Sequence, residues 1–193
     1  MKYQPNRNYK SDDIVMTPPD LAYRLVKHFN PQGKGLEPCS GTGNILRFLP
    51  NADWCEITKG RNFFDYDEKV DYIFTNPPWS KIKDFLTHSL EIANDIYFLL
   101  TINHIWTKAR LREIFQNGFG IKEIRLIDTP KEFPQSGFQL GMVHIQKGWR
   151  GDIKISFDEI ENKTVCPFCG NEMDETYHGR QYCYDCENKL KGN

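Results

Sequence analysis

A step of two consecutive prolines constrains this chain more than any other feature. The run Val70–Thr75 is apolar and rich in aromatic and β-branched residues, which is typical of a strand, and it leads directly into Asn76-Pro77-Pro78-Trp79. Because proline has no backbone N–H and a fixed φ, the chain must turn stiffly here. The turn offers backbone carbonyls, an asparagine amide oxygen and the flat face of Trp79. Acceptors beside an aromatic plate suit a planar ligand that carries an amino group, such as an extruded nucleobase.

Strand-like and helix-like segments alternate along most of the chain. Helical patterns cover residues 17–29, 45–49, 82–93 and 109–116, and strand patterns cover residues 35–38, 53–57, 70–75, 96–101, 121–128 and 138–146. This alternation predicts an α/β domain in which helices cover both faces of a mostly parallel sheet. Because no helical pattern separates the last two strands, we expect one of them to be antiparallel.

A turn that contains glycine follows the first predicted strand, at residues 39–44. Glycines let a ligand approach the backbone, and in doubly wound sheets ligands bind beyond the carboxyl ends of the strands. Glu37 precedes the turn, where a carboxylate could meet an amino group. Glu56 ends the next predicted strand, where a carboxylate could bridge two ribose hydroxyls. Further on, Asn62-Phe63 pairs a polar group with an aromatic ring suited to an adenine.

Together these motifs resemble the S-adenosylmethionine-dependent N6-adenine DNA methyltransferases in which the cofactor motif precedes the catalytic one. The resemblance covers roughly residues 11–148 and rests on the order of Thr17-Pro18-Pro19, residues 37–44, Glu56, Asn62-Phe63 and Asn76-Pro77-Pro78-Trp79. It implies a Rossmann-like methyltransferase fold with a mostly parallel, seven-stranded sheet, S-adenosylmethionine as the cofactor and DNA as the partner. The implied cofactor-binding residues are Thr17, Glu37, Pro38, Ser40, Gly41, Gly43, Glu56, Asn62 and Phe63, and the implied catalytic residues are Asn76, Pro77, Pro78 and Trp79. This family usually has Asp at the position of Asn62, whose carbonyl can still accept a hydrogen bond.

The resemblance also gives the Pro-Pro turn a chemical role. An exocyclic adenine amine is a poor nucleophile because its lone pair is delocalised into the ring. If its two N–H groups donate to Asn76 Oδ1 and the Pro77 carbonyl, the nitrogen becomes more pyramidal and can attack a methyl group in line. Trp79 would stack on the extruded base. Phe138 is a candidate for the opposite face of that pocket, with a core position as the alternative.

Four of the six cysteines form two pairs in the C-terminal part of the chain. Two residues separate Cys166 from Cys169 and Cys183 from Cys186, and thirteen residues lie between the pairs. Each pair can hold one edge of a tetrahedral site, so this spacing predicts a structural Zn²⁺ ion in a zinc ribbon. A segment of this length buries little apolar surface, and we expect the metal to supply most of its folding energy.

The chain is predicted to have three parts: a flexible segment at residues 1–13, the methyltransferase domain at residues 14–158 and the zinc ribbon at residues 159–193. With 25 basic and 26 acidic residues, a nucleic-acid partner would have to meet a local cationic surface, for which Lys81 and Lys83 are candidates. No apolar run approaches the length of a membrane span, and the first residues lack a signal-peptide core. We therefore expect a cytoplasmic protein with no membrane partner.

The sequence favours methyl transfer to adenine N6 in DNA and leaves three alternatives open. An RNA adenine methyltransferase would use the same pocket, because the pocket reads the base and not the sugar. A protein-glutamine methyltransferase would bind a similar NH₂ group, although Trp79 suits a base better. The third alternative is a catalytically silent module that binds DNA or a partner through the ribbon. A domain of this size could also depend on a partner subunit.

Overall fold

The computed structural model describes residues 15–135, 137–158, 166 and 169, and a seven-stranded sheet runs through most of them. Its strands are β1 (Gly35–Glu37), β2 (Asp53–Trp54), β3 (Val70–Thr75), β4 (Ala93–Thr101), β5 (Phe119–Ile127), β6 (Leu140–Lys147) and β7 (Lys154–Phe157). They are arranged in the order β2-β1-β3-β4-β6-β5-β7. Strand β6 is antiparallel to both of its neighbours, and the other pairs are parallel. The prediction of a mostly parallel sheet with one antiparallel strand is confirmed.

Helices lie on both faces of the sheet, as the alternating pattern predicts. The described helices are α1 (Pro19–Phe29), α2 (Ile82–Ile92) and α3 (Lys108–Gln116). Because successive strand residues point to opposite faces, β3 contributes to two cores. Phe74 packs with Leu21 and Leu25 of α1, whereas Ile73 packs in the cluster that contains Leu86 of α2 and also Ile114 of α3. Within the described residues, no helix is both long enough and apolar enough to cross a membrane.

Two predicted elements between β1 and β3 are shorter than expected. The helix predicted at residues 45–49 is a single 3-10 turn, Leu46–Phe48, because too few residues separate the glycine turn from Pro50 for an α-helix to form. The strand predicted at residues 53–57 ends at Trp54, since the side chain of Glu56 accepts a hydrogen bond from the backbone N–H of Thr58 and starts another 3-10 turn. The part of the domain between β1 and β3 is therefore built mainly from hydrogen-bonded turns.

Strand β7 was not expected from the sequence, and an ionic cluster fixes it to the domain. Asp158 follows β7, and its side chain is almost fully buried. Its two carboxylate oxygens accept hydrogen bonds from Arg24 Nε of α1 at 3.0 Å and from Arg125 Nη2 of β5 at 3.2 Å. The Asp158 backbone N–H also donates to the Leu126 carbonyl at 2.7 Å. One carboxylate thus joins a helix, an inner strand and the edge strand.

Replacing Asp158 with Ala should lower the free energy of unfolding by about 2–4 kcal/mol, because two partly buried arginines lose the carboxylate they share. Urea denaturation followed by circular dichroism measures this change. Asp152→Ala serves as the control, since Asp152 is exposed on the loop before β7 and should alter stability by less than about 0.5 kcal/mol. Equal unfolding midpoints for the two variants would contradict the assigned role of Asp158.

Candidate active site

The candidate site lies where β1 and β3 end side by side. These strands pair in parallel, with Leu36 opposite Ile73, so the glycine turn after β1 and the Pro-Pro turn after β3 emerge at the same edge of the sheet. A cleft between the two turns is lined by Val15, Met16, Thr17, Glu37, Cys39, Ser40, Thr42, Asn44, Ile45 and Asn76. The fold therefore brings together Thr17, Glu37, Ser40 and Asn76, which the sequence motifs assigned to one site.

Left-handed backbone and close packing shape the glycine turn. Gly41 and Gly43 have φ values of +47° and +81°, a region in which side chains are strained. A Cβ atom on Gly41 would also lie 2.7 Å from Sδ of Met16. The Gly43 N–H donates to the Ser40 carbonyl at 2.6 Å, and the Ser40 N–H donates to the Cys55 carbonyl at 3.0 Å. Only residues without a side chain suit these two positions, and the turn is fixed by hydrogen bonds on both sides.

Glu56 holds the glycine turn against the end of β2. Glu56 Oε2 accepts the Gly41 N–H at 2.8 Å, and Oε1 accepts the Thr58 N–H at 3.1 Å. Lys59 Nζ donates to the Gly41 carbonyl at 2.9 Å. Partial burial alone would raise the pKa of Glu56, but the hydrogen bonds from Thr58 and Gly41 and the charge of Lys59 lower it. Each oxygen of an ionised carboxylate can accept further hydrogen bonds, so Glu56 can still receive ligand hydroxyls.

Glu37 is a buried carboxyl at the bottom of the cleft. It is 1% exposed, and its Oε2 has no hydrogen-bond partner among the described residues; the same holds for the buried hydroxyl of Ser40. Burial raises the pKa of Glu37 to about 8, with a further increase from the charge of Glu56, and the Leu46 backbone and Lys59 offset this only in part. The carboxyl is therefore mainly protonated at neutral pH until a cation approaches it. Buried polar atoms without partners favour a ligand that carries complementary groups.

A short segment before α1 joins the two turns. The Val15 carbonyl accepts a hydrogen bond from Asn76 Nδ2, and the Thr17 carbonyl accepts one from Asn44 Nδ2, both at 2.9 Å. The first of these bonds fixes the amide of Asn76 and leaves Oδ1 as its acceptor. Sequence reasoning did not assign a role to Asn44, although it ends the glycine motif and its short amide is suited to such a bridge.

Trp79 is held firmly beside the Pro-Pro turn. Pro77 is buried and Pro78 is partly exposed. The indole Nε1–H of Trp79 donates to the Leu99 carbonyl at 3.2 Å, and its ring lies 6.1 Å from the ring of Phe133, with a 28° angle between the planes. Phe138, the candidate for the opposite face of the pocket, is 59% exposed. No sequence motif indicated Phe133, because it lies in the long loop between β5 and β6, directly before Pro134.

The predicted adenine contacts lie on the turn before β3. Asn62 Oδ1 accepts the Phe64 N–H at 3.3 Å and begins the 3-10 turn Phe63–Asp65. The ring of Phe63 is buried and stacks on Phe85 of α2, with 5.0 Å between the centroids. The neighbouring Phe64 is 41% exposed, and Ile57, which directly follows Glu56, is 74% exposed. The exposed apolar surface near the glycine turn thus includes two residues that no motif assignment contained.

The described part of the chain contains no cluster of three His, Cys, Asp or Glu side chains that could hold a metal ion. Cys166 is buried and Cys169 is exposed, whereas Cys183 and Cys186 lie outside the described residues. The predicted flexible segment at residues 1–13 also lies outside them, as does most of the predicted ribbon. The zinc ribbon therefore remains a prediction from cysteine spacing.

Comparison with known proteins defines the fold of this site. No family model and no curated protein sequence matches the chain. Among solved structures, it is similar to a candidate RNA methyltransferase from Pyrococcus horikoshii, with 16% identity, a TM-score of 0.52 and coverage of 78% of this chain and 94% of the other. The EcoKI M protein of a type I restriction enzyme has 13% identity, a TM-score of 0.54 and coverage of 72% and 45%. The 23S rRNA methyltransferase ErmE has 11% identity, a TM-score of 0.53 and coverage of 72% of each chain.

Identities this low establish the fold and not the reaction. The chain has the Rossmann-like fold of the S-adenosylmethionine-dependent methyltransferases, as the motif series implied. The residues of the cleft also fit the cofactor. Glu37 can meet the ammonium group of its methionine part, and the Ser40 hydroxyl offers a further polar contact. Glu56 is not among the lining residues, but it binds the Gly41 N–H of the adjoining glycine turn and can accept from ribose hydroxyls.

The raised pKa of Glu37 predicts how stability depends on pH. The folded-state pKa of about 8 exceeds the ordinary value of 4.5, so the protonated carboxyl favours the native state and this contribution is lost as the pH rises toward and through 8. Glu37→Gln should remove this dependence and make the cofactor-free protein more stable than wild type at pH 9. Thermal unfolding midpoints between about pH 5.5 and pH 9 measure the effect.

Glu132→Gln provides the control for this measurement, because Glu132 is exposed and its substitution should leave the pH profile unchanged. A Glu37→Gln protein that follows the wild-type profile would contradict a buried, protonated Glu37.

Proposed function

We propose that this protein transfers a methyl group from S-adenosylmethionine to the exocyclic N6 amine of adenine in DNA. One observation carries the proposal: the buried carboxyl of Glu37 and the fixed amide of Asn76 line the same cleft, Glu37 as the last residue of β1 and Asn76 directly after the adjacent parallel strand β3. A group that can bind the methionine part of a methyl donor thus lies beside a group that can bind an amine. Proximity of donor and acceptor is the main requirement of an in-line methyl transfer.

The bound cofactor supplies an electrophilic methyl group on a sulfonium. Asn76 Oδ1 accepts one hydrogen of the adenine amine, and its orientation is set by the hydrogen bond from Asn76 Nδ2 to the Val15 carbonyl. The Pro77 carbonyl accepts the other hydrogen. These two bonds localise the lone pair on the nitrogen and direct it toward the donor side of the cleft. Trp79, anchored to Leu99, offers its indole ring to the flipped base.

The likeness to solved structures does not decide between DNA and RNA. The similar structures include the EcoKI M protein and ErmE, a 23S rRNA methyltransferase. We favour DNA because the order of the motifs follows the DNA adenine enzymes. This chain spans about half the length of the restriction-enzyme M subunits it resembles, with 45% of the EcoKI protein covered. In our proposal a partner subunit selects the target sequence, and the protein acts in the cytoplasm.

Incubation with labelled S-adenosylmethionine tests the substrate. Duplex DNA, single-stranded DNA, RNA and protein are offered separately, and the products are digested and separated. We expect the label in N6-methyladenine from DNA. Label only in RNA would favour the RNA alternative, label in glutamine would favour the protein alternative, and no label in any polymer would favour a silent binding module.

Replacing Asn76 with Ala should reduce methyl transfer at least about 100-fold, since one of the two acceptors that activate the amine is lost. Cofactor affinity, measured by isothermal titration calorimetry, should change by less than about threefold, because Asn76 is assigned to the amine and not to the donor. Asn117→Ala is the matched control, as Asn117 is exposed at the end of α3. Near-wild-type turnover of Asn76→Ala would refute this mechanism.

We also propose that the C-terminal cysteines hold a structural Zn²⁺ ion. The support is the pairing of Cys166 with Cys169 and of Cys183 with Cys186 at the spacing of a ribbon. Elemental analysis of reduced protein should find about one zinc per chain. The double variant Cys183→Ser/Cys186→Ser should lose it, whereas Cys39→Ser, at the unrelated glycine turn, should retain it. A zinc-free wild-type protein would remove the ribbon assignment.

A further inference from the structure

Trp106 is an exposed aromatic residue held in a fixed position at the edge of the sheet that carries the candidate site. It lies on the connection between β4 and α3 and is 51% exposed. Its backbone N–H donates to the Ile102 carbonyl at 3.0 Å, and the preceding Ile105 is fully buried. The following Thr107 caps α3 by accepting a hydrogen bond from the Arg110 N–H. The backbone is thus fixed on both sides of an indole ring that remains in solvent.

The same connection passes next to the proposed base pocket. His104 precedes Trp106 by two residues, and its ring lies 5.9 Å from that of Trp79. The Ile102 N–H donates to the Gln139 carbonyl at 2.9 Å, which brings the loop with the exposed Phe138 to the same rim. Trp106 therefore lies beyond the pocket wall, where a neighbour of a base bound at Trp79 would pass.

Exposed cations surround this rim. Lys81 and Lys83 lie at the start of α2, and Lys108 and Arg112 lie on α3. The two helices begin at the same edge of the sheet and are joined by a hydrogen bond between the side chains of Thr87 and Glu113. Among the described residues, none of these four cations forms an ion pair. Their charges are thus available to phosphate groups, with Asp84 of α2 as an opposing charge nearby.

We propose that Trp106, Lys81 and Lys108 form a binding site for single-stranded nucleic acid beside the base pocket. Trp106 stacks on an unpaired base next to the target adenine, and the two lysines contact the phosphates of the same strand. The inference rests on the proposed function, because it takes the adenine in the pocket to belong to a polynucleotide. A base face is accessible only where the strand is unstacked, so the site favours single-stranded or locally opened DNA over an intact duplex. Stacking does not read the sugar, and RNA of the same sequence offers the same chemistry.

Fluorescence anisotropy with labelled oligonucleotides tests this site on the full chain. Single-stranded DNA, single-stranded RNA and duplex DNA of one sequence are titrated with wild type, Trp106→Ala, Trp106→Phe and Phe115→Ala. Phe115 is the matched control, since it is equally exposed (53%) at the opposite end of α3. Trp106→Ala should bind single strands about tenfold or more weakly, whereas Trp106→Phe and Phe115→Ala should stay within about threefold of wild type. Cofactor affinity should be unchanged in all of them.

A salt series tests the phosphate contacts separately. Lys108→Ala should make the dependence of log Kd on log salt shallower by about one. Lys147→Ala, at the opposite edge of the sheet beside Phe119, should leave this dependence unchanged. If wild type and Trp106→Ala bind single strands with equal affinity, the inference is wrong. If both proteins still transfer methyl groups in that case, the proposed function is unaffected. A wild-type protein that neither binds nor methylates any nucleic acid would overturn both. A higher affinity for single-stranded DNA than for single-stranded RNA, or the reverse, shows which nucleic acid the site prefers.

Discussion

The parallel pairing of β1 with β3 is the constraint on which the candidate site depends. Two adjacent parallel strands end at the same edge of a sheet, so the turns that follow them meet without any further device. In the proposed function, Glu37 and the turn after β1 would bind the methyl donor, and the turn after β3 would bind the amine. Hydrogen bonds from Asn44 and Asn76 to the carbonyls of Thr17 and Val15 then fix the distance between the turns. The chemistry of the cleft follows from strand order before any side chain is considered.

The segment between β1 and β3 contains no long helix or strand, and polar side chains stabilise it. Between β1 and β3 the described chain forms three short 3-10 turns and the two-residue strand β2. Such turns bury little apolar surface, and specific hydrogen bonds hold them instead. Glu56 binds the Gly41 N–H and Lys59 binds the Gly41 carbonyl, so one glycine is fixed from both of its backbone groups. Glu56 therefore has two roles, because the carboxylate that can receive ligand hydroxyls also determines the shape of the turn that contacts the ligand.

The sequence predicts local features of this protein better than features set by long-range packing. Glu37, Ser40 and Asn76 meet in one cleft as expected, since Glu37 ends β1 and Ser40 and Asn76 lie on the turns that follow β1 and β3. Which of two adjacent aromatic rings is buried depends on packing against the distant helix α2. Phe85 stacks on the buried Phe63 and meets Phe64 edge to face, and Phe64 stays 41% exposed. The positions of Phe133 and β7 also depend on contacts between distant parts of the chain, and the sequence motifs did not indicate them. Phe133 is buried by long-range packing with residues such as Leu140 and by its contact with Trp79. The short strand β7 is placed by its pairing with β5, and its apolar residues Ile155 and Phe157 are exposed.

The two sides of the cleft differ physically. The side with Glu37 and Ser40 lowers the free energy of unfolding, and the side with Asn76 and Trp79 is rigid. Within the part of the chain that the structure describes, Oε2 of Glu37 and the hydroxyl of Ser40 are buried without a hydrogen-bond partner, which lowers the stability of the ligand-free protein. A cationic ligand that reaches Glu37 lowers the pKa of its carboxyl. The free energy that the unpaired carboxyl costs in the ligand-free protein then contributes to the binding affinity. Asn76 and Trp79, by contrast, are already fixed by hydrogen bonds to Val15 and Leu99. In the proposed function, little conformational entropy is lost when a base enters, because Asn76 and Trp79 are already held in place. The methyl donor would satisfy the buried groups of Glu37 and Ser40, and the amine would meet acceptors that need not move.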